Sequence, residues 1–513
     1  MKRPLAVFGF SMLIFSFILC LLSDIATAVL FAGLSYAVFM ISVALPKLRK
    51  GYFLPTVMLA CLLSSLLFYV VQSDYDKLSS FAETKGDIVC EIKEEPVFNK
   101  EYGRHYCKAK LHTVDGEKYR GNIRLSFNTI YDDVEIENMK IGNVLSFNGY
   151  LYKVGGEERE IVNYFKSENI YIGVHSIKNL DITESNNKTI GYYGNELRRF
   201  IADNFKERFS RNTAGFLTAL LTGDKTYVDD NVYYNFKNSG VAHLMAVSGM
   251  HLAVLVMLLN LFIKKLRKKH KNLYFTILSL FIIFFMFVAS FSSSVVRAGV
   301  MLFVLLTGQL LDKRSDSLNS LGFACICIIV TNPFSAMSVG FLLSVLSTLA
   351  IITAAVPFCN KHRYFLCDRL GLKGSVSFFV GRAVMLSLAI SISVMVYTLP
   401  VMALFFGGIS LISPVANLLF LPVTTIIIVL AFISAVLCAV GFMPGLLVFI
   451  VEKISAYCLG VAELLGSNDT FILKTQSPLS IALCTVTPFV LYLAIKVASK
   501  ALRKMKAKKI RPL

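Results

Sequence analysis

Long apolar runs separated by short charged joints dominate the chain, and one polar stretch, residues 72–240, interrupts them. Runs near 5–22, 26–45 and 53–71 precede the interruption. Runs near 241–263, 273–289, 294–311, 318–331, 335–357, 376–400, 408–437, 442–465 and 478–498 follow it. A bilayer core needs about 20 apolar residues per spanning helix. The pattern therefore predicts a mainly α protein, a polytopic transmembrane helix bundle of about twelve spans. Pro333, Pro400, Pro414, Pro422 and Pro478 predict kinked or re-entrant pieces, which survive at membrane depth only inside a bundle or beside a wet cavity. Lys2 and Arg3 followed by Leu5–Leu22 resemble a signal peptide, but Cys20-Leu-Leu-Ser-Asp24 offers no small-residue cleavage site and further spans follow. A retained first helix is the better reading.

Within the polar stretch the period changes. Asp87–Ile92, Tyr106–His112, Tyr119–Phe127, Asn143–Lys153 and Ile170–Ile177 alternate as short strands, with turn residues at Val114-Asp-Gly116, Lys140-Ile-Gly142 and Gly155-Gly156. Five short strands predict a small OB-like β domain. From about 194 to 236 the period turns helical. Leu197, Phe200, Ile201, Phe205 and Phe209 recur at helical spacing, with Arg198, Arg199, Lys206 and Arg208 opposite. Two readings stand: a basic amphipathic helix on the membrane surface, or a packed connector. The expected domains are N-terminal transmembrane helices (1–71), the β domain (72–185), connector helices (186–240) and a larger transmembrane domain (241–513).

Composition agrees with a membrane protein: 55% of the residues are hydrophobic and 17% charged, where soluble domains carry roughly 25% charged residues. The net charge of +19 invites a nucleic-acid reading until it is located. Residues 72–240 hold 23 Lys+Arg against 26 Asp+Glu, a net −3, so the rest of the chain carries +22. That excess sits at Lys47/Arg49/Lys50, Lys264–Lys271, Lys313/Arg314, Lys361–Arg369 and Lys500–Lys509. These are short joints and a tail beside apolar helices, which is the positive-inside pattern of a cell membrane protein. It predicts cytoplasmic N- and C-termini and an extracytoplasmic 72–240. Bulk charge is no argument for DNA binding here.

Of the eleven cysteines, most lie in apolar runs and act as small hydrophobes. Cys359 and Cys367 flank His362 in a basic joint, a weak metal signal. Cys90 and Cys107 are the pair in the outer region, on neighbouring expected strands in an oxidising compartment, and a disulfide between them is expected.

The motifs of nucleotide hydrolysis (G-x-x-x-x-G-K-[ST]) and of H-E-x-x-H metal hydrolysis are absent. No cofactor, metal or catalytic residue is expected. The segment His243-Leu-Met-Ala-Val-Ser248-Gly249-Met-His251 is the most informative string. It opens an apolar run, so its two histidines would fall in the first turns of a spanning helix. Polar groups at that depth are costly and mark function. Ser248 and His251, three apart, would share a helix face, which admits a membrane-embedded serine hydrolase. However, the G-x-S-x-G elbow is missing and no nearby acid orients His251. Ser248 and Gly249 also suit plain helix packing.

Four elements in order resemble the ComEC family of competence proteins. Leu221-Thr-Gly223-Asp224-Lys225 followed by Gly240–His251 is similar to that family's Gly-Asp step and membrane segment. Ser294-Val-Val-Arg297-Ala298 resembles its intramembrane Arg-Ala element. Asn332-Pro333 and Gly340-Phe341-Leu-Leu343-Ser344 resemble its Gly-Phe-x-Leu-Ser element, with Leu342 where a polar Gln is common. Pro414-Val-Ala-Asn417 and Leu421-Pro422 resemble its late Asn…Pro element. The resemblance implies a channel passing one strand of DNA into the cytoplasm. Its contacts would be His243, Ser248, Gly249, His251, Arg297 and Asn417, with Asp224 and Lys225 at the outer surface. It further implies the lipid bilayer, a DNA receptor and a cytoplasmic ATPase or helicase as partners. A separate nuclease is expected too, because many relatives continue into a metallo-β-lactamase-like domain while this chain stops at Leu513. Tyr102, His105, Tyr106, Phe127 and Tyr131 beside Arg104, Lys108 and Arg120 are candidates for stacking bases on an OB-type face. A transporter of another anionic polymer or of small solutes is the alternative on the same scaffold.

Overall fold

A computed structural model describes residues 3–22, 25–44, 52–99, 103–128, 139–156, 158–184, 189–313, 315–361, 375–406, 408–468 and 472–474. Lys2, Lys47, Arg49, Lys50, Tyr102, Tyr131, Arg314, His362, Cys367, the run 478–498 and the basic tail lie outside the described residues. In chain order the first helices are α1 (Pro4–Leu22), α2 (Ile25–Ala44), α3 (Phe53–Ser79), α4 (Arg159–Ser167), α5 (Ile190–Arg208), α6 (Arg211–Thr222) and α7 (Asp230–Asn238). Next come α8 (Gly249–Ile263), α9 (Lys271–Val288), α10 (Ser293–Leu310) and α11 (Ser317–Thr331). The last are α12 (Val339–Ala350), α13 (Ser375–Phe405), α14 (Ser413–Ala439) and α15 (Gly445–Gly466). Among the described residues, eight helices are long and apolar enough to cross a membrane, and three apolar helices are shorter, at Ile25–Ile41, Gly249–Ile263 and Ser317–Thr331.

The chain forms two compact units: Met1–Glu207 with Ser248–Phe341, and Arg208–Val247 with Leu342–Leu513. In the first unit, α1 crosses α11 where Gly9 meets the Gly322 backbone, so closely that any side chain at Gly9 would collide. Small residues permit such crossings, and lipid-soluble helices gain packing from them. The Ser64 hydroxyl of α3 donates to the Met12 carbonyl of α1 at 3.4 Å. One end of this unit gathers charge. Arg3 pairs with Asp316 at 2.9 Å, and Lys271 pairs with Asp312. The other end carries the β domain, which follows directly from α3.

The domain's strands are β1 (Lys85–Ile92), β2 (Val97–Asn99), β3 (Arg104–Val114), β4 (Glu117–Lys118), β5 (Asn122–Phe127), β6 (Val144–Tyr152) and β7 (Ile170–Thr183). Antiparallel pairing joins β1 to β3, β3 to β5, β7 to β6 and β6 to β1, while β5 and β7 run parallel. Five strands therefore close in the ring β1–β3–β5–β7–β6, a barrel-like sheet with no free edge among those five. Alternate residues point inward, and Ile88, Ile92, Leu111, Ile123, Leu125, Phe147 and Ile172 fill the centre.

The expected Cys90–Cys107 disulfide is not formed. Both cysteines are free and buried. The register explains why: Cys90 lies opposite Leu111, and Cys107 lies opposite Leu125, so the two are staggered along their neighbouring strands. Burial pushes both thiols up from their ordinary range, which makes them inert core groups. A second departure is α4, inserted between β6 and β7 where a turn alone was expected. The helical region also breaks into three helices, α5, α6 and α7.

Helix α4 joins the barrel to the bundle. Asn163 donates to the Cys20 carbonyl of α1 at 2.9 Å. Lys166 is 3% exposed. Its ammonium donates to Gln72 Oε1 at 3.1 Å and sits 3.6 Å from the centre of the Tyr75 ring. Asn332, just after α11, donates to the Lys166 carbonyl at 2.9 Å and to Asn169 Oδ1 at 2.9 Å.

In the second unit, α13 and α14 run through Pro400 and Pro422 without breaking. Strands β8 (Gly408–Ser410) and β9 (Ile472–Lys474) pair antiparallel. Glu452 of α15 accepts from the Ser210 backbone N–H at 2.6 Å and from the Thr213 hydroxyl at 2.8 Å. A carboxylate at the start of α6 satisfies an orphan donor and suits the helix dipole.

Desolvation pushes the Lys166 ammonium down to about 8, against the pull of Asp76. The unfolded chain then binds more protons than the folded one between about pH 8 and pH 10.4, so stability rises with pH through that window. We expect thermal unfolding in detergent to occur at a higher temperature at about pH 9.5 than at about pH 7, and the Lys166→Met variant to lose most of that difference. Identical pH responses in the two proteins would contradict the assignment.

Candidate functional site

The apolar run that begins near residue 241 does not start as a helix. Ala242–Leu244 make a single 3₁₀ turn, the chain then extends, and α8 begins only at Gly249 with Ser248 as its N-cap. The expectation that both histidines lie in the first turns of one helix is thereby corrected. A serine before an apolar run is a strong helix-start residue, because it offers the first free backbone N–H groups a partner. His251 completes the start. Its Nδ1 accepts from the Ser248 backbone N–H at 3.2 Å, and the pair has the geometry of a capping box. An accepting Nδ1 fixes the neutral tautomer with its proton on Nε2. His251 is fully buried.

Gly249 then brings α8 against α10. A Cβ at Gly249 would lie 2.8 Å from the Ala298 Cβ and 3.4 Å from Arg297 Nη2. Arg297 is 7% exposed, and its Nη1 lies 3.6 Å from Met301 Sδ. Gly249 thus sets the helix start built by Ser248 and His251 against the Arg297 segment of α10 in the first unit. The start of α10 is also near the Gly-Phe element, since Ser293 Oγ lies 3.7 Å from where a Gly340 side chain would begin.

His243 and Asn417 belong to the second unit. Gly240 adopts φ +77°, and a Cβ there would lie 2.7 Å from the Ser413 Cβ, so this turn requires glycine. Ser410 Oγ donates to the Asn238 carbonyl at 2.7 Å, and Ser413 Oγ donates to the Gly240 carbonyl at 3.3 Å. One turn along α14, Asn417 Nδ2 lies 3.5 Å from Ser413 Oγ. Asn417 Oδ1 is buried with no hydrogen-bond partner among the described residues. His243 interacts with the Gly240 backbone and stays exposed between buried Val241 and Leu244.

Asp224 and Lys225 follow the α6 C-terminus, where Gly223 takes φ +81°. Asp224 Oδ1 accepts from the Thr226 N–H at 2.9 Å, a local turn. The Lys225 ammonium lies 4.9 Å from the centre of the Tyr233 ring.

On the β domain, Phe127 is fully buried and His105 stacks on it at 5.7 Å. Strand alternation turns Phe127 into the core, so it is no stacking platform for a ligand. Tyr106 remains available in part, with the Arg124 guanidinium 3.9 Å from its ring centre. Arg104 reaches Ser126 at 3.5 Å, and Lys108 lies 3.6 Å from Glu168. The sequence reading overlooked a second aromatic group. His175 stacks between Tyr150 at 4.8 Å and Tyr152 at 5.3 Å. Gly173 makes room for the Tyr152 ring, which any side chain there would strike. Lys85, Asn148, Tyr150, His175, Ser176 and Lys178 line a groove of about 200 Å³ beside it. Alternation along 150–152 and 173–175 was the available signal. Lys166 and Glu452 were overlooked as well: one lay in an expected turn, the other beside Lys453 in an apolar run.

Chemically, the Ser248–His251 pair builds a helix start. The imidazole nitrogen that faces Ser248 is engaged by a backbone N–H, whereas a nucleophile–base pair requires that nitrogen to receive the hydroxyl proton. The two helix segments offer donors: a guanidinium fork and a neutral imidazole N–H, both suited to phosphate oxygens.

Comparison with known proteins adds a lineage. The family profile described as Competence protein matches residues 220–500. ComE operon protein 3 of Bacillus subtilis (strain 168) is 26% identical over 309 residues, which are 58% of this chain and 37% of that protein. The matched part thus spans well under half of that relative's length. No solved structure matches.

The Gly249–Ala298 contact yields a direct expectation. Gly249→Ala should destabilise the protein by about 1–3 kcal/mol through overpacking, and adding Ala298→Gly should restore most of the loss. Thermal unfolding of the two variants in detergent checks it. A Gly249→Ala protein as stable as the parent would show that the helices do not meet there.

Proposed function

The chain belongs to the Competence protein family, and from that premise we propose that it conducts one strand of DNA inward across the cell membrane during natural transformation. The observation that carries this reading is Arg297, a 7% exposed guanidinium on an apolar helix inside the family-matched region. Desolvating a fixed cation within a membrane helix is costly, and such residues mark ion or substrate paths. A guanidinium fork matches phosphate oxygens in a bidentate way. His251, with its proton on Nε2, adds a neutral donor two residues along from Gly249, which meets that guanidinium. His243 and Asn417 add further polar groups in the second unit.

The proposed topology has twelve spans with the charged end of the first unit in the cytoplasm. Arg3, Lys271 and Lys313 then obey the positive-inside rule, and the β domain lies outside. There its five-strand ring acts as an OB-like module. Tyr106 with Arg124, and Tyr150, Tyr152 and His175 with Lys85 and Lys178, supply ring faces and cations to an incoming single strand. A receptor delivers the DNA, and a cytoplasmic ATPase or helicase supplies the driving force. A nuclease removes the other strand.

Replacing Arg297 with alanine should lower uptake of labelled DNA by roughly tenfold or more, since a charge-assisted phosphate contact contributes about 1.5–3 kcal/mol and successive phosphates meet it in turn. Arg297→Lys should retain part of the activity, because the charge remains and the fork is lost. Membrane insertion of both variants, measured by fractionation, should match the parent. Normal uptake by a correctly inserted Arg297→Ala protein would overturn the proposal.

A further inference from the structure

Helix α5 carries two adjoining arcs of mainly apolar side chains, with Arg198 set into one and Asn204 and Arg208 into the last turns of the other, and only the first arc is packed. At about 100° per residue, Gly194, Ile201, Ala202 and Phe205 form one arc, and all four are buried. Ile190, Tyr193, Leu197 and Phe200 form the adjoining arc. Ile190 is 73% exposed, Tyr193 57% and Phe200 45%, while Leu197 is half-buried. The remaining arc carries Glu196, Arg199, Asp203 and Lys206, all exposed. A helix in water would not set a stripe of large apolar side chains beside its polar face without a cover.

Three contacts fix the depth of α5. Its Gly194 packs on Phe287, with 3.1 Å from the site of a Cβ to that ring. Phe287 is one residue from the end of α9, a spanning candidate whose opposite end begins at Lys271 and pairs with Asp312. Arg199 pairs with Glu95, and Tyr192 packs against the barrel core. So α5 sits at the barrel-side end of a span, with its polar side tied toward the barrel. One turn before Phe287, α9 leaves Ile283 and Phe284 exposed, and Leu280 lies one turn further back. In a bilayer that apolar surface faces lipid, and the α5 stripe lies at the level where it ends.

We propose that α5 is an interfacial helix whose Ile190, Tyr193, Leu197 and Phe200 are seated in lipid at the headgroup–acyl boundary, with Glu196, Arg199, Asp203 and Lys206 in water. The stripe would bury about 5–10 Å into that boundary, and Tyr193 suits it because its ring is apolar and its hydroxyl polar. The helix thereby holds the membrane-side base of the barrel at a fixed height. This inference needs only a membrane location and stands whatever polymer is carried.

The chain contains no tryptophan, so one introduced indole reports alone. Phe200→Trp and Tyr193→Trp place it in the stripe, and Glu196→Trp places it on the polar arc. Each full-length protein is reconstituted in vesicles of ordinary or brominated phosphatidylcholine and titrated with acrylamide. Brominated lipid should lower the emission of the two stripe variants by roughly twofold or more while leaving Glu196→Trp nearly unchanged. Acrylamide should give the reverse order. Stripe variants insensitive to brominated lipid but open to acrylamide would place the stripe in water. Stripe variants shielded from both quenchers would mean a protein cover, such as a second copy. Either result overturns the proposal. Two stripe positions are used so that misfolding of one variant leaves the other to decide.

Discussion

A guanidinium inside an apolar bundle constrains everything packed around it. Arg297 can occupy its place on α10 because Gly249 offers no side chain there and Ala298 offers only a methyl group. The contact falls on the first residue of α8. Ser248 and His251 enforce that beginning by capping the helix between them. One buried cation thus links a helix start, a glycine contact and a tautomer. Small residues are used the same way at Gly9 and Gly322, where two spans meet backbone to backbone.

The second unit follows the same economy of polar groups. The turn at Gly240 is held by the Ser410 hydroxyl of β8 and the Ser413 hydroxyl at the start of α14, and Asn417 stands one helical turn beyond. Where a carboxylate enters an apolar helix, at Glu452, it accepts from the Ser210 backbone N–H just before α6 and from the Thr213 hydroxyl in its first turn. Several polar residues of the apolar runs close the ends of helices, and others, such as Ser64, bond a carbonyl of a neighbouring helix. The functional reading rests on Arg297 and Asn417.

Much of this was legible in the sequence because two periods carry it. Runs of apolar residues marked the spans, and alternation marked all five strands of the barrel ring. The four family-like elements pointed to the same residues that the fold draws together around Arg297 and around Ser413. Hydropathy failed where the signal was local. Leu244–Val247 are as apolar as the helix that follows, so the capping at Ser248 was invisible to it. The disulfide expected of Cys90 and Cys107 assumed strand neighbours in register, and register is set by the pairing of the whole ladder. Lys166 was hidden in a segment read as a turn. Only the fold reveals that its ammonium is buried against Gln72 and Tyr75 where barrel meets bundle.

The central claim is that Arg297 and His251 border a hydrated path for a phosphate polymer. The most direct measurement is an experimental map of the protein in lipid nanodiscs with a short single-stranded oligonucleotide. The account predicts phosphate density within hydrogen-bonding distance of the Arg297 guanidinium, with ordered water leading away from it. Arg297 sealed in dry helix contacts, with neither nucleic acid nor water beside it, would contradict the account.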